Sequence, residues 1–265
     1  DLPLKGVRVL EISHMIMGPA TGMTLADLGA EVIKVEPVEG DRTRRLKSAG
    51  IGYFPVFNRN KQSFAVDLKS AEGRKLVQDL ADKADIVLEN LRPGVMDKLG
   101  LGYADLRELN PGLIYVAISG YGHGDVKPSP YTEYPAFDIV AQALSGLMYR
   151  PERSGDRPIY LGVSLGDIQA GIVAAQGALL ALLQRGKTGK GQKVDVSLYD
   201  AALVINELPI AMYSVFKEKY PPGAHALTAP FGTYRTADGY IVIAVLGEHV
   251  WQRFCEAIGQ PQLAH

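Results

Sequence analysis

Val7-Arg8-Val9-Leu10 is followed by helical spacing from Pro19 to Leu28 and then by a second apolar run, Val32-Ile33-Lys34-Val35. Such runs bury both faces, as the strands of a parallel sheet do, and parallel neighbours need a crossover helix between them. The rhythm returns at Ile86 to Leu88 and Leu113 to Ile118, with helical spacing from Ala71 to Lys83. It predicts an α/β fold, a doubly wound parallel sheet with ligands at the carboxyl ends of its strands. A glycine turn, Gly162 to Gly166, leads into a predicted helix from Ile168 to Gln184 closed by Gly186. Lys193 to Val196 reads as another strand, followed by one long apolar helix to about Phe216. After Pro221-Pro222-Gly223 the pattern changes to a hairpin, Phe231 to Thr236 and Tyr240 to Val245 around Asp238-Gly239, with a helix from Glu248 to Ile258. We therefore expect a large domain over 1–219 and the start of a smaller α+β domain over 220–265.

The 265 residues are 47% hydrophobic and 22% charged, with 28 Lys+Arg against 29 Asp+Glu. A net charge of -1 argues against a nucleic-acid or anionic-membrane surface built on bulk charge. The longest apolar stretch, Ala170 to Leu183, contains Gln176 and falls short of the ~18 residues of a spanning helix. With a single cysteine, Cys255, and no basic or apolar leader before the first strand, a cytoplasmic protein is expected. The five histidines have no metal-ligand spacing, so no metal is expected.

Three motifs invite other readings. Ala181 to Thr188 fits a loose phosphate-loop pattern, but it ends a helix instead of opening one, which makes Gly186 a C-cap and Lys187 a partner of the helix dipole. Gly162-Val-Ser164-Leu-Gly166 matches a nucleophile elbow, with Asp195 or Asp200 and His225 or His249 as candidate partners for a serine hydrolase. Gly120-Tyr-Gly122-His-Gly124 lacks dinucleotide spacing. Two features remain. Asp167 stands before the predicted helix among glycines, where an aspartate is ordinarily an N-cap. Asn58-Arg59-Asn60-Lys61 with Lys69, and Asn90-Leu91-Arg92 with Lys98, lie near element ends and would suit a phosphorylated ligand.

Longer blocks carry a resemblance: Leu4-Lys-Gly-Val-Arg-Val-Leu, Gly18-Pro19, Leu25 to Glu36, Gly40-Asp41, Asn60-Lys61 with Asp67-Leu68-Lys69, Asn90 to Gly94, Asn110-Pro111, Ser119 to Gly122, Gly166-Asp167 and Thr188 to Gln192. On these the chain resembles the family III CoA-transferases, the group that includes formyl-CoA transferase, carnitine CoA-transferase and the acyl-CoA racemases. The resemblance implies a Rossmann-like large domain. Family chains run about half as long again, so the C-terminal third of the family chain is expected to be missing here.

The resemblance implies that Asp167 is the nucleophile, passing through an aspartyl anhydride and an aspartyl-CoA thioester, with coenzyme A or acyl-CoA as substrate and no prosthetic group. A helix N-terminus would keep Asp167 ionised, and its amides would serve the developing oxyanion. The implied CoA-binding residues are Met17, Gly18, Pro19, Leu68, Lys69, Asn90, Arg92 and Lys98. Racemases of the family place a proton-transfer histidine where this chain has Phe137, which favours CoA transfer between an acyl-CoA and a small carboxylic acid over 2-methylacyl-CoA racemisation. An interlocked homodimer is implied as well.

Overall fold

A computed structural model describes residues 2–149, 157–217 and 228–264. The chain divides into two compact units, Asp1–Leu147 with Tyr160–Ile205, and Met148–Ile159 with Asn206–His265. The first unit contains, in order, β1 (Arg8–Ile12), α1 (Met17–Asp27), β2 (Glu31–Glu36), α2 (Tyr53–Phe57), β3 (Lys61–Ala65), α3 (Ala71–Asp82), β4 (Ile86–Glu89), α4 (Val95–Lys98), α5 (Tyr103–Leu109), β5 (Ile114–Ser119), α6 (Asp138–Leu144), α7 (Leu165–Thr188), β6 (Gln192–Ser197) and α8 (Leu198–Ile205). Its six strands are all parallel, in the order β3-β2-β1-β4-β5-β6. This is the doubly wound arrangement expected from the sequence, and its strand order reverses between β1 and β4.

Each face of the sheet has its own apolar layer. Val9, Val32, Ile86, Leu88, Ile114, Val116 and Ile118 pack against Leu25 and Ala26 of α1 and an alanine stripe of α7, Ala170, Ala174, Ala178 and Ala181. Leu10, Val35, Val87, Tyr115 and Ala117 pack on the other face against Val77 and Ala81 of α3, Met96 of α4 and Leu106 of α5. The stripe of small residues lets α1 and α7 approach closely. A Cβ at Gly171 would lie 3.0 Å from both Ala20 Cβ and Met17 O, and Thr21 Oγ1 donates across the contact to Gly171 O at 3.2 Å.

α7 runs for 24 residues, not the 17 that the sequence pattern marks. Gly186 lies inside it, and the C-cap is Gly189, left-handed at φ 70°. By length and composition α7 could cross a membrane, but here its buried stripe makes it a core helix. Both of its ends are tied down. At the C-terminal end Arg185 donates to Asp85 Oδ1 at 2.9 Å and to Gly112 O at 3.2 Å, in the loops that precede β4 and β5; the N-terminal tie belongs to the site.

The expected long apolar helix after β6 is two helices, α8 and α9 (Glu207–Phe216), interrupted at Asn206 with φ -97° and ψ 17°. The second unit also contains β7 (Phe231–Arg235), β8 (Tyr240–Ala244) and α10 (Glu248–Ala257). β7 and β8 form the expected antiparallel hairpin, closed where Thr236 N–H donates to Gly239 O. Pro221-Pro222-Gly223 and His225 lie outside the described residues.

Candidate functional site

α7 leads directly into β6 and runs antiparallel to the strands, which puts its N-terminus at their carboxyl edge. Ser164, not Asp167, occupies the N-cap position, and the Ser164 side chain makes no cap hydrogen bond. The cap comes from another helix. Asp138, the first residue of α6, accepts on Oδ1 the backbone N–H of Gly166 at 2.8 Å and that of Asp167 at 3.2 Å. Its Oδ2 accepts from Gln142 Nε2 at 2.5 Å and from Tyr160 Oη at 3.4 Å. Asp167 therefore sits within the first helical turn, and its carboxylate is not the cap.

This arrangement changes the electrostatics anticipated from a bare helix N-terminus. Burial, and after it the charge of Asp138, raise the Asp167 carboxyl to about 7. The two amides that the sequence offered to an oxyanion are both occupied by Asp138. What remains is a half-buried carboxyl group held close to the neutral titration range, as acid–base and nucleophilic sites require.

Asp167 and Gly171 are one helical turn apart on the same face of α7, and Gly171 abuts Met17. The β1–α1 connection, which delivers Met17, Gly18 and Pro19 at the start of α1, therefore packs against α7 one helical turn from Asp167. Asn90, at the end of β4, grips this β1–α1 turn: its Oδ1 accepts His14 N–H at 2.9 Å and its Nδ2 donates to His14 O at 2.9 Å. Asn90 is buried and both ends of its amide are committed to the turn. Arg92 and Lys98 are exposed beyond it, while Leu68 and Lys69 follow β3, on the far side of β2. Seven of these positions follow the carboxyl ends of β1, β3 and β4 and Lys98 closes α4, but only the Met17–Pro19 segment is packed next to the helix of Asp167.

The polar run 58–61 is engaged with the protein itself, although Arg59 and Asn60 are exposed. Arg59 pairs with Asp27, to which Asn60 Nδ2 also donates, Asn58 is buried, and the Lys61 side chain is 2% exposed. A second constellation was invisible as such in the sequence. His123 Nδ1 lies 3.0 Å from Asp195 Oδ1 and Nε2 lies 3.2 Å from Glu89 Oε1, while Glu89 Oε2 accepts Leu91 N–H at 2.7 Å. Burial pulls the imidazole down, but the bonds and charges of Asp195 and Glu89 together outweigh it and hold the group at about 9. Asp195 is therefore engaged with His123 and is not placed as a partner for Ser164. His123 lines an open cleft of about 260 Å³ with Arg92, Gly94, Tyr103 and Lys193.

Comparison with known proteins bears on this geometry. The model of CoA-transferase family III matches residues 4–265. The succinyl-CoA–D-citramalate CoA-transferase of Chloroflexus aurantiacus is 40% identical over 99% of this chain and 66% of its own length. The succinyl-CoA:glutarate CoA-transferase of Homo sapiens is 35% identical over 98% of this chain and 60% of its own. The crystal structure of Rv3272 from Mycobacterium tuberculosis superposes with a TM-score of 0.88 at 39% identity, covering 100% of this chain and 71% of that one. The chain thus spans about two thirds of the length of these relatives, and it belongs to CoA-transferase family III.

Proposed function

We propose that the protein transfers coenzyme A from an acyl-CoA to a small carboxylic acid, with Asp167 as the nucleophile. The observation that carries this reading is a carboxyl group at a helix N-terminus, freed from capping by Asp138 and adjacent to the Met17–Pro19 turn. An ionised Asp167 oxygen attacks the thioester carbonyl, the C–S bond breaks and CoA leaves as thiolate, which gives an acyl-aspartyl anhydride. The thiolate then attacks the aspartyl carbonyl, releasing the donor acid and forming an aspartyl-CoA thioester, and the acceptor carboxylate reverses both steps. Each intermediate conserves an activated acyl bond, so the chain's own carboxylate suffices as carrier. Lys69, Arg92 and Lys98 supply exposed cations for the phosphates of CoA, and Leu68 the edge of its site. Because Asp138 uses the Gly166 and Asp167 amides, donors to the oxyanion come from elsewhere in the site.

Phe137, 68% exposed beside Asp138, has no proton to exchange, which favours transfer over racemisation at an α-carbon. Ile172, Leu180 and Leu183 of α7 are exposed, at 43%, 65% and 66%, an apolar face that suits a homodimer. The single cysteine, buried Cys255, suits a reducing compartment such as the cytoplasm.

The decisive test is a hydroxylamine quench of protein mixed with succinyl-CoA or an aliphatic acyl-CoA, followed by peptide mapping. A hydroxamate at Asp167 is expected, and Asp167→Asn should keep its fold and lose transfer by several orders of magnitude. Modification at Ser164, or full turnover by Asp167→Asn, would overturn the assignment.

A further inference from the structure

Two buried ammonium groups bracket the β1–α1 turn. Lys34 Nζ donates to Ser13 O at 2.8 Å where the turn begins, and Lys61 Nζ donates to Pro19 O at 2.9 Å where it enters α1. Both are joined through one carboxylate. Lys34 Nζ lies 3.2 Å from Glu11 Oε1 and Lys61 Nζ lies 2.7 Å from Glu11 Oε2, and the three side chains are 0–2% exposed. Asp41 Oδ2, 3.1 Å from Lys34, balances the second positive charge. The space for this bridge is kept open by Gly22, where a Cβ would overlap Glu11 Oε2.

A buried ionic network of this kind is an expensive way to fill a core, since apolar residues of similar volume are usually as stabilising or more so. Its distinctive product is geometric: two main-chain carbonyls six residues apart are held to one rigid anchor, with Asn90 gripping the turn between them. We propose that Lys61, acting with Lys34 across Glu11, is a positioning residue that fixes the Met17–Pro19 turn in its CoA-binding form. This rests on the CoA-transferase reading. Burial drags the Lys61 ammonium down to about 8, with Glu11 opposing it, so Lys61 is predominantly charged at neutral pH.

The test separates positioning from charge balance. Lys61→Met leaves Glu11 with one cation, whereas Glu11→Gln/Lys61→Met removes one charge of each sign and keeps Lys34 balanced by Asp41. In the double variant the melting temperature should return close to that of the wild type. Its Kd for CoA by calorimetry should nevertheless stay raised by about tenfold or more, and the Gly18 and Ala20 amides should exchange faster with solvent. A double variant that regains CoA affinity along with its melting temperature, or whose Gly18 and Ala20 exchange as slowly as in the wild type, overturns the proposal. Absence of CoA binding by the wild-type chain would instead sink the transferase reading, and the exchange rates would still decide the role of Lys61.

Discussion

Asp138 accepts the backbone N–H of Asp167 at 3.2 Å, so the two carboxyl groups share one helix N-terminus: one caps the helix and the other is left without a capping role, as the proposed nucleophile requires. Division of labour between neighbouring carboxyls is set by environment, because Asp138 receives the amides while its charge, after burial, disfavours ionisation of Asp167.

Asp138→Asn should separate these effects. Asparagine keeps an oxygen for the Gly166 and Asp167 amides but removes the charge that, after burial, raises Asp167 to about 7. Since the ionised form attacks, the acid limb of kcat/KM should lie near pH 7 in the wild type. In the variant it should move to roughly tenfold higher proton concentration. A limb that stays in place, measured from pH 5 to 9, would assign the whole shift to burial.

The same helix illustrates what one sequence conceals. Its apolar spacing was legible, as were five of the six parallel strands, because fully buried runs such as Val7 to Leu10 have few alternatives. β3 escaped notice because Lys61 to Ala65 is a polar edge strand without an apolar run. The trans-helix cap escaped because Asp138 and Gly166 are 28 residues apart and only the fold joins them. Lys61 reads as a phosphate-facing cation for a related reason: lysine is ordinarily solvent-exposed, and nothing local signals the buried carboxylate that it meets. Asp167 is singled out by the long motif blocks, while its local pattern alone points to a simple cap.

His123→Gln should change how stability depends on pH. The imidazole is held at about 9 in the fold against 6.5 when unfolded. A raised folded-state value contributes stability that is fully present below pH 6.5 and lost as pH rises through 9. The contribution is on the order of 3 kcal/mol. Urea midpoints at pH 6 and pH 9.5 should differ in the wild type by an amount largely abolished in the variant. Equal pH sensitivity in both would show that His123 is not the titrating group.

Gly22→Ala should destabilise by about 3 kcal/mol, since the added methyl group collides with a carboxylate fixed between two buried ammonium groups. Denaturant unfolding gives the value directly. A neutral effect would mean that Glu11 has room to withdraw.

Lys69→Ala and Arg92→Ala should each weaken CoA binding by about 10- to 100-fold without altering the melting temperature, because both side chains are exposed. Calorimetry with CoA checks this, and unchanged affinity in both variants would move the phosphates elsewhere.

α7 is fastened at its N-terminal end through Asp138 and at its C-terminal end through Arg185 to the loops before β4 and β5. A rod held at both ends neither slides along the sheet nor tilts away from it without breaking one of these contacts. Asp167 is accordingly a stationary landmark. On the proposed function, any adjustment that admits acids of different length falls to the segments that face Asp167, and variation in those segments should alter acid selection without moving the carboxyl.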